Sequence, residues 1–190
     1  MIRPEQVAFD IDGVFADTMA LFLEIARKDY GINHIRYEDI THYYLEECLD
    51  IAPEAIEAIL KRILEGDFKS ELKPIEGSCE ILSALAHRGP LLFVTARSAH
   101  NAIEEWVNDM LPESPHGVEV VATGSFEAKG EVLKSKGIRY FVEDYLEACF
   151  ALDRHNIFPI VFHQPWNRHR HPFREVSSWA EIGKLMDLDS

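Results

Sequence analysis

The chain has 190 residues, of which 47% are hydrophobic and 27% charged, and these are the proportions of an ordinary globular protein. Its formal net charge of −14 excludes the basic surface on which nucleic acid polymers are normally bound, but it allows a small anionic ligand held by a few local cations. No apolar run approaches the roughly 20 residues of a membrane helix, and the N-terminus lacks the apolar stretch of a signal peptide. We therefore expect a cytoplasmic protein with neither a membrane nor a nucleic acid polymer as partner.

The cysteines also favour a reducing compartment. Cys48, Cys79 and Cys149 are odd in number and form no C-x-x-C pair. This pattern is typical of free thiols rather than of a disulfide framework. Each cysteine is expected to be a small buried apolar residue.

The first predicted element is a short apolar strand at residues 7–9 that leads directly into two acids. Because side chains at i and i+2 of a strand share a face, Asp10 and Asp12 are expected to project together from its C-terminal end, and Gly13 allows a sharp turn. Two carboxylates this close repel each other unless a cation or a shared proton lies between them. The ordinary alternative is an exposed acidic turn after a strand.

A helical region is predicted between this strand and residue 72. Residues 18–30 form a helix with Asp17 as N-cap and Gly31 as its end. The helical pattern continues over residues 37–68, with Pro53 in the first turn of a helix that ends at Gly66. Residues 18–72 are therefore predicted to be a small helical cap, inserted into a core domain made of residues 1–17 and 73–190.

From residue 73 onward, short apolar strands alternate with helices. Strands are predicted at 91–94, 118–122, 140–142 and 159–162, and helices at 78–87, 101–110, 129–136, 146–155 and 178–186, with a polar loop before the last helix. Such alternation indicates an α/β fold with a parallel sheet, here of five strands, covered by helices on both faces. Ligands of such sheets bind beyond the carboxyl ends of the strands.

Polar residues stand where this sheet would bind a ligand. Thr95 ends the second strand, Glu143 and Asp144 follow the fourth, and Lys129 opens a helix. Each has an ordinary structural alternative. Thr95 suits any strand, Lys129 could be a solvated surface residue, and the two acids could merely cap the next helix.

Taken in chain order, D-I-D-G-V at residues 10–14, Thr95, Lys129 and E-D at residues 143–144 resemble the four motifs of the haloacid dehalogenase (HAD) superfamily of phosphohydrolases. The match covers nearly the whole chain and implies a Rossmann-like HAD core. It also implies a Mg²⁺-dependent phosphomonoester hydrolase that works through an aspartyl-phosphate. Asp12 favours a phosphatase, because dehalogenating members lack an acid at that position.

Carried over to this chain, the resemblance implies catalytic roles for four residues. Asp10 would be the nucleophile, and Asp12 would protonate the leaving alcohol and later accept a proton from water. Thr95 would donate its hydroxyl to a phosphoryl oxygen, and Lys129 would neutralise charge on the phosphoryl group.

The resemblance also implies a metal site and substrate contacts. Mg²⁺, which prefers oxygen ligands, would be held by Asp10, the backbone carbonyl of Asp12 and Asp144. Glu143 is expected to act through water or to orient Lys129. The residues expected to contact substrate are Phe15, Thr95, Ala96, Arg97 and Lys129.

A finer resemblance is to the 5′-nucleotidases of the deoxyribonucleotidase type and their bacterial relatives. It rests on D-I-D-G-V-F-A-D at 10–17, L-K-P-I-E-G at 72–77 and P-W-N-R at 165–168. It implies a nucleoside monophosphate as substrate, whose base would stack on aromatic residues of the cap, although aromatic residues at helical spacing are also typical of a core. Two alternatives stay open: a phosphatase of sugar phosphates or another small phosphorylated metabolite, and a phosphate-binding protein without turnover.

The polar loop before the last helix carries His163, His169 and His171. Their spacing fits no known zinc scheme, so a surface cluster of histidines is expected. Arg168 and Arg170 could instead position an anionic group. A homodimer built through the cap or an edge helix stays open.

Overall fold

A parallel sheet of six strands forms the centre of the protein in the computed structural model, which describes residues 2–98 and 101–188. The strands are β1 (Val7–Phe9), β2 (Leu91–Thr95), β3 (Val118–Ala122), β4 (Tyr140–Glu143), β5 (Phe158–Phe162) and β6 (Arg174–Val176). Their order is β3-β2-β1-β4-β5-β6, and every pairing is parallel. The strand order changes direction at β1, so the ends of β1, β2 and β4 meet at the position where open α/β sheets bind ligands.

Helices connect the strands. They are α1 (Thr18–Tyr30), α2 (Pro53–Glu65), α3 (Ser78–Ala86), α4 (Asn101–Met110), α5 (Lys129–Ser135), α6 (Leu146–Arg154) and α7 (Trp179–Leu185). Residues 18–72 contribute no strand to the sheet. The division into a core and a cap stays a prediction.

The sheet is buried on both faces, as the apolar strands predicted. Successive residues of β1 alternate between two cores, with Val7 and Phe9 in the larger cluster and Ala8 in the smaller one. Phe9 packs against Trp179 of α7 on one face, at 5.4 Å between ring centroids. Phe141 lies with Ala8 on the other face. This period of two is the alternation expected of a strand.

One strand, β6, was not predicted. It pairs with β5, with Ile160 beside Arg174 and Phe162 beside Val176, inside the stretch that was expected to be a polar loop. Only Val176 of its three residues is buried. A three-residue edge strand with two exposed charges produces neither an apolar run nor an alternating pattern, so the sequence signal for a strand is absent.

The predicted helical pattern over residues 37–68 was correct only in its second half. Before α2 the chain forms two 3₁₀ turns, Tyr37–Asp39 and Leu45–Glu47, instead of a regular helix. The segment between these turns is Ile-Thr-His-Tyr-Tyr, whose β-branched and aromatic side chains are weak helix formers. α2 begins at Pro53 and is followed by Gly66 in the left-handed conformation, at a φ of 75°.

The cysteines are free thiols, as predicted. Cys149 is buried, whereas Cys48 and Cys79 are partly exposed. None of the helices within residues 2–98 and 101–188 is long and apolar enough to cross a membrane.

Candidate active site

The loop after β1 brings two acids to the edge of the sheet. The amide of Asp10 donates to the carbonyl of Val142 at 2.9 Å, which continues the pairing of β1 with β4. The chain then turns at Gly13, whose φ is 74°. A Cβ at Gly13 would clash with the Asp144 carboxylate, 2.7 Å from its Cγ. Glycine is therefore needed here for both its conformation and its lack of a side chain.

Lys129, the first residue of α5, is a buried cation between two carboxylates. Its Nζ donates to Asp10 Oδ1 at 2.9 Å and to Glu143 Oε2 at 2.8 Å. Only 2% of the residue is exposed, so it is not a solvated surface lysine. Burial alone would lower the pKa of Lys129, but Asp10 and Glu143 raise it above its usual value. The ammonium group therefore stays charged.

Asp10, Glu143 and Asp144 form a buried acidic cluster. One carboxylate oxygen from each lies within 4.8 Å of the others. Burial, together with the charges of Glu143 and Asp12, raises the pKa of Asp10 to about 8, although Lys129 acts in the opposite direction. Burial also raises the pKa of Asp144, with Glu143 and Asp10 adding to the effect. A further cation would favour full ionisation of this cluster, and an all-oxygen donor set suits Mg²⁺.

Glu143 has a second contact, with the start of α6. Its Oε1 accepts hydrogen bonds from the amides of Asp144 at 3.1 Å and Tyr145 at 3.2 Å. The same carboxylate thus holds the turn that carries Asp144 and, through Oε2, the ammonium of Lys129. One side chain therefore supports both the turn before α6 and the ammonium of Lys129, whereas the N-cap residue Tyr145 does not cap α6 with its own side chain.

The polar loop after β5 supports the acidic cluster, and this was not predicted. Trp166 Nε1 donates to Asp144 Oδ2 at 2.9 Å, and Asn167 Nδ2 donates to the Asp144 carbonyl at 2.8 Å. Gln164 Nε2 donates to the carbonyl of Gly13 at 2.8 Å. The sequence marks P-W-N-R only through a family resemblance, because no local pattern shows which carboxylate an indole will contact.

Asp12 is held by a buried arginine. Arg97 Nε donates to Asp12 Oδ2 at 2.9 Å, and Arg97 Nη2 donates to Oδ1 at 2.7 Å. Thr18 Oγ1, from the first turn of α1, also donates to Oδ1 at 2.5 Å. Burial would raise the pKa of Asp12, but the charge and hydrogen bonds of Arg97 and the bond from Thr18 lower it. Asp12 is therefore a carboxylate in this structure.

Thr95 anchors the loop that carries Arg97. Its Oγ1 accepts a hydrogen bond from the Arg97 amide at 3.2 Å, and its carbonyl accepts one from the Thr123 amide at 2.9 Å. Thr95 and Arg97 are both buried at the end of β2. The loop thus places a hydroxyl and a guanidinium side by side at the carboxyl edge of the sheet.

A cavity of about 380 Å³ opens above these groups. Four of the five residues expected to contact substrate line it, namely Thr95, Ala96, Arg97 and Lys129. Half of the remaining lining residues are apolar or aromatic, namely Met19, Ile40, Tyr43, Leu45, Leu60, Leu64, Phe126, Tyr145 and Trp166.

Phe15 does not line this cavity, and the expectation that it contacts substrate is wrong. It is fully buried, with its ring centroid 4.8 Å from that of Trp106 and 5.4 Å from that of Phe93. After the turn at Gly13, the amide of Phe15 donates to the carbonyl of Ile11 at 2.9 Å. This tight turn places the ring in the main core.

Aromatic side chains join residues 43–44 to the turn after β4. The rings of Tyr43 and Tyr145 stack at a centroid distance of 3.6 Å, and Phe126 packs edge-on against Tyr145 at 5.2 Å. Tyr145 also donates its hydroxyl hydrogen to Tyr44 at 3.2 Å between the oxygens. Because Tyr145 directly follows Asp144, an aromatic wall stands next to the acidic cluster.

The loop histidines do not gather into a metal site. Within the described residues, the only group of three or more metal-ligating side chains is the acidic cluster. His171 Nε2 lies 3.2 Å from Glu175 Oε1, and Arg168 Nη1 lies 3.0 Å from Glu38 Oε2. These two acidic side chains, Glu175 and Glu38, do not line the cavity.

Comparison with known proteins points to one family. A family model described as 5′ nucleotidase, deoxy (pyrimidine), cytosolic type C protein matches residues 3–189. No curated protein matches the sequence at a significant level.

Solved structures of HAD-superfamily hydrolases share the fold over almost the whole chain. One from Ehrlichia chaffeensis is 15% identical, with a TM-score of 0.59 over 99% of this chain and 98% of that one. One from Geobacter sulfurreducens is 18% identical, with a TM-score of 0.58 over 95% of both chains. YfnB from Bacillus subtilis, described as a HAD hydrolase bound to magnesium, is 14% identical, with a TM-score of 0.61 over 98% of this chain and 100% of that one.

Proposed function

Because the chain belongs to the family of cytosolic type C deoxy (pyrimidine) 5′-nucleotidases, within the HAD phosphatases, we propose that it is a Mg²⁺-dependent hydrolase of nucleoside monophosphates. The observation that carries this proposal is the buried Lys129, which bridges Asp10 and Glu143 beside Asp144. Three buried carboxylates beside a partly exposed fourth, Asp12, are costly to hold at one sheet edge unless they serve a cation and a phosphate ester.

The chemistry follows from the oxygens that are available. Among the described residues, Lys129 donates to Asp10 at Oδ1 alone, which leaves Oδ2 to attack phosphorus. A bond forms between this oxygen and phosphorus as the bond to the leaving alcohol breaks, and Asp12, after taking up a proton from solvent, gives that proton to the alcohol. Water then displaces phosphate from the aspartyl-phosphate, and Asp12 accepts the proton of the water. Thr95 and Lys129 stabilise the phosphoryl oxygens in both steps.

The donor set fits a divalent cation. Asp10, Glu143 and Asp144 converge as buried carboxylates, and burial raises the pKa values of Asp10 and Asp144, with the neighbouring carboxylates adding to the effect. Asp10 and Asp144 would hold Mg²⁺ together with the Asp12 carbonyl. The bound metal would neutralise phosphate charge. Glu143 is already committed to Lys129 and to two amides, so it would support this site from outside.

The cavity wall supports a nucleotide over a purely polar substrate. Phe126, Tyr145 and Trp166 present aromatic surface, and Leu60 and Leu64 add apolar surface from α2. A base stacked on an aromatic side chain gains about 1–3 kcal/mol per base. A sugar phosphate has no planar apolar ring to use this wall.

The test is phosphate release from matched panels of nucleoside monophosphates and sugar phosphates, with Mg²⁺ and then with a chelator. We expect Mg²⁺-dependent turnover concentrated on nucleotides and no detectable turnover by Asp10→Asn. Asp29→Asn, which alters an exposed carboxylate paired with Arg62 at 2.8 Å, is the matched control and should retain the wild-type rate.

Turnover confined to sugar phosphates would contradict the nucleotide substrate but would agree with the proposed mechanism of hydrolysis. Near wild-type rates in Asp10→Asn would refute the assignment of Asp10 as the nucleophile. An intact wild-type fold with no turnover on either panel would favour a binding protein.

A further inference from the structure

The ion pair between Arg97 and Asp12 occupies the carboxylate that the proposed chemistry needs. Arg97 donates to both oxygens of Asp12, at 2.9 and 2.7 Å, and Thr18 adds a third hydrogen bond to Oδ1. A leaving-group oxygen has to reach one of these oxygens to receive a proton. In the arrangement seen here, the guanidinium fork lies in that place. These three hydrogen bonds fill most of the roughly four acceptor sites of the carboxylate, so departure of Arg97 would open acceptor sites on both oxygens to the leaving group.

An alternative partner for Arg97 lies within the same cavity. Arg97, Asp12, Asp10, Thr95 and Lys129 all line it, and the Arg97 amide is already bonded to Thr95 Oγ1. A guanidinium fork pairs with two phosphoryl oxygens as readily as with a carboxylate. A phosphoryl dianion also carries more charge than the carboxylate it would replace.

Of the two described residues with a permanent positive charge that line the cavity, Arg97 is better placed for this exchange than Lys129. The side chain of Lys129 is held by two carboxylates, Asp10 and Glu143, whose side chains are 7% and 1% exposed. The Asp12 side chain, the only acidic partner of Arg97 among the described residues, is 30% exposed. The Asp12 carboxylate is thus more open to solvent than the carboxylates that hold Lys129, whereas the Arg97 side chain itself is 5% exposed.

We propose that Arg97 is a phosphate-binding residue that exchanges partners: it holds Asp12 in the free protein and transfers to the phosphoryl group when a phosphomonoester binds. The exchange releases Asp12 toward the leaving group, while Thr18 keeps that carboxylate in position. Substrate binding and availability of the general acid are thereby coupled. This inference rests on the proposed phosphatase function, because it needs a phosphate in the cavity.

The first test measures binding of inorganic phosphate in the presence of Mg²⁺ by calorimetry. Arg97→Gln should weaken phosphate binding about 10-fold to 100-fold, the range for loss of a charged hydrogen-bonding partner. Arg97→Lys, which keeps the charge without the fork, should recover part of the affinity. Arg62→Gln removes the pair between Arg62 of α2 and Asp29 of α1 and should bind phosphate like the wild type. Unchanged affinity in Arg97→Gln would overturn the proposal.

A kinetic test separates phosphate binding from mere positioning of Asp12. For Arg97→Gln we expect a higher KM on both 4-nitrophenyl phosphate and an alkyl phosphate, with the ratio of the two kcat values unchanged. An unchanged KM, with the loss of kcat confined to the alkyl ester, would mean that Arg97 serves only to hold Asp12, and would overturn the exchange.

Failure of the proposed function gives a different result. A wild-type protein that binds phosphate in an Arg97-dependent manner but hydrolyses no ester would refute the phosphatase proposal and support the binding role of Arg97. A double-mutant cycle adds a further check: Asp12→Asn should strengthen phosphate binding more when Arg97 is present than in Arg97→Gln. Equal gains in the two backgrounds would contradict competition between Asp12 and phosphate for Arg97.

Discussion

Gly13 controls the position of the Asp144 carboxylate, although it has no side chain to contribute. Its φ of 74° and the clash that a Cβ would make with Asp144 leave no room for another residue. Trp166 holds the same carboxylate from the other side, with Nε1 at 2.9 Å from Oδ2. The acidic cluster is thus shaped from both sides by groups that carry no charge.

Gly13→Ala should therefore displace Asp144 and lower Mg²⁺ affinity by at least about tenfold, the low end of what disturbed metal support costs. The matched control is Gly31→Ala, which has a φ of 69° but no atom within 4 Å of the added Cβ. It should cost only the strain of the left-handed conformation, about 1 kcal/mol. Calorimetric titration with Mg²⁺ measures the metal affinity of both variants and of the wild type. Equal Mg²⁺ affinity in Gly13→Ala and the wild type would show that Asp144 does not bind the metal.

Lys129 compensates two buried carboxylates, so its removal should affect stability as well as catalysis. Lys129→Met should reduce turnover at least about 100-fold by loss of transition-state stabilisation, and should lower the free energy of unfolding by about 3–5 kcal/mol at neutral pH. Adding Glu143→Gln should restore part of the stability and none of the activity. Urea unfolding and phosphate release measure the two effects.

Lys136→Met is the control for this variant, because Lys136 pairs with Glu119 at 2.6 Å on the surface of the same region. An exposed pair contributes at most about 1 kcal/mol. Similar losses in Lys129→Met and Lys136→Met would contradict the view that burial makes the Lys129 network costly to break.

At the scale of helices and strands, the elements with a clear local sequence pattern were predicted with ends that lie within one or two residues of the observed ends. Asp17 and Gly31 enclose α1, and apolar runs give β2 to β5. Parallel topology then brings Asp10, Thr95 and Asp144 to one edge, so the acidic site could be located from the sequence. The short edge strand β6 has no comparable signal.

Contacts between distant segments could not be predicted in this way. Arg97 and Asp12 are 85 residues apart, and Gln164 and Gly13 are 151 residues apart. The local sequence around Arg97 does not indicate which anion its guanidinium will bind, because a substrate phosphate and a carboxylate accept the same hydrogen bonds. Phe15 was misplaced for a similar reason, because its position depends on how the turn at Gly13 is closed.

The carboxyl of Asp17, the N-cap residue of α1, should make the stability of the protein depend on pH. Asp17 accepts a hydrogen bond from the Ala20 amide at 3.1 Å, and burial raises the pKa of its carboxyl despite bonds from that amide and from Tyr37. A raised pKa means that the folded chain holds the proton more tightly than the unfolded chain. The stabilisation is full below the unfolded value of 3.8 and is lost as pH rises through the raised folded value.

Asp17→Asn keeps the capping oxygen without the charge, so its stability relative to the wild type should increase as the pH is raised from 4 to 7. Asp17→Ala, which loses the cap, should be less stable than Asp17→Asn by about 1 kcal/mol at every pH. Urea unfolding followed by circular dichroism gives both comparisons. A stability difference between Asp17→Asn and the wild type that does not change with pH would mean that burial has no effect on this carboxyl.

For the whole molecule, metal binding, protonation and folding are linked through the acidic cluster. Because the pKa of Asp10 is raised to about 8 in the metal-free protein, its contribution to stability decreases as pH rises from about 4 to about 8. A bound cation favours the ionised carboxylate and reverses this trend. Mg²⁺ at about 100 times its Kd would add about 2.7 kcal/mol to the free energy of unfolding.

Mg²⁺ affinity should therefore rise between pH 6 and pH 8, and binding should release protons, because a protonated carboxyl must ionise before it can hold the metal. Calorimetry in two buffers with different ionisation enthalpies measures the number of protons released. Asp10→Asn should reduce both the proton release and the pH dependence, whereas Asp29→Asn should leave them unchanged. If the wild type bound Mg²⁺ without releasing protons, the cluster would be ionised before the metal arrives, and Lys129 and Arg97 would be sufficient to balance its charge. The number of protons released thus distinguishes a site whose carboxylates are ionised before the metal binds from a neutral cluster that ionises when the metal binds.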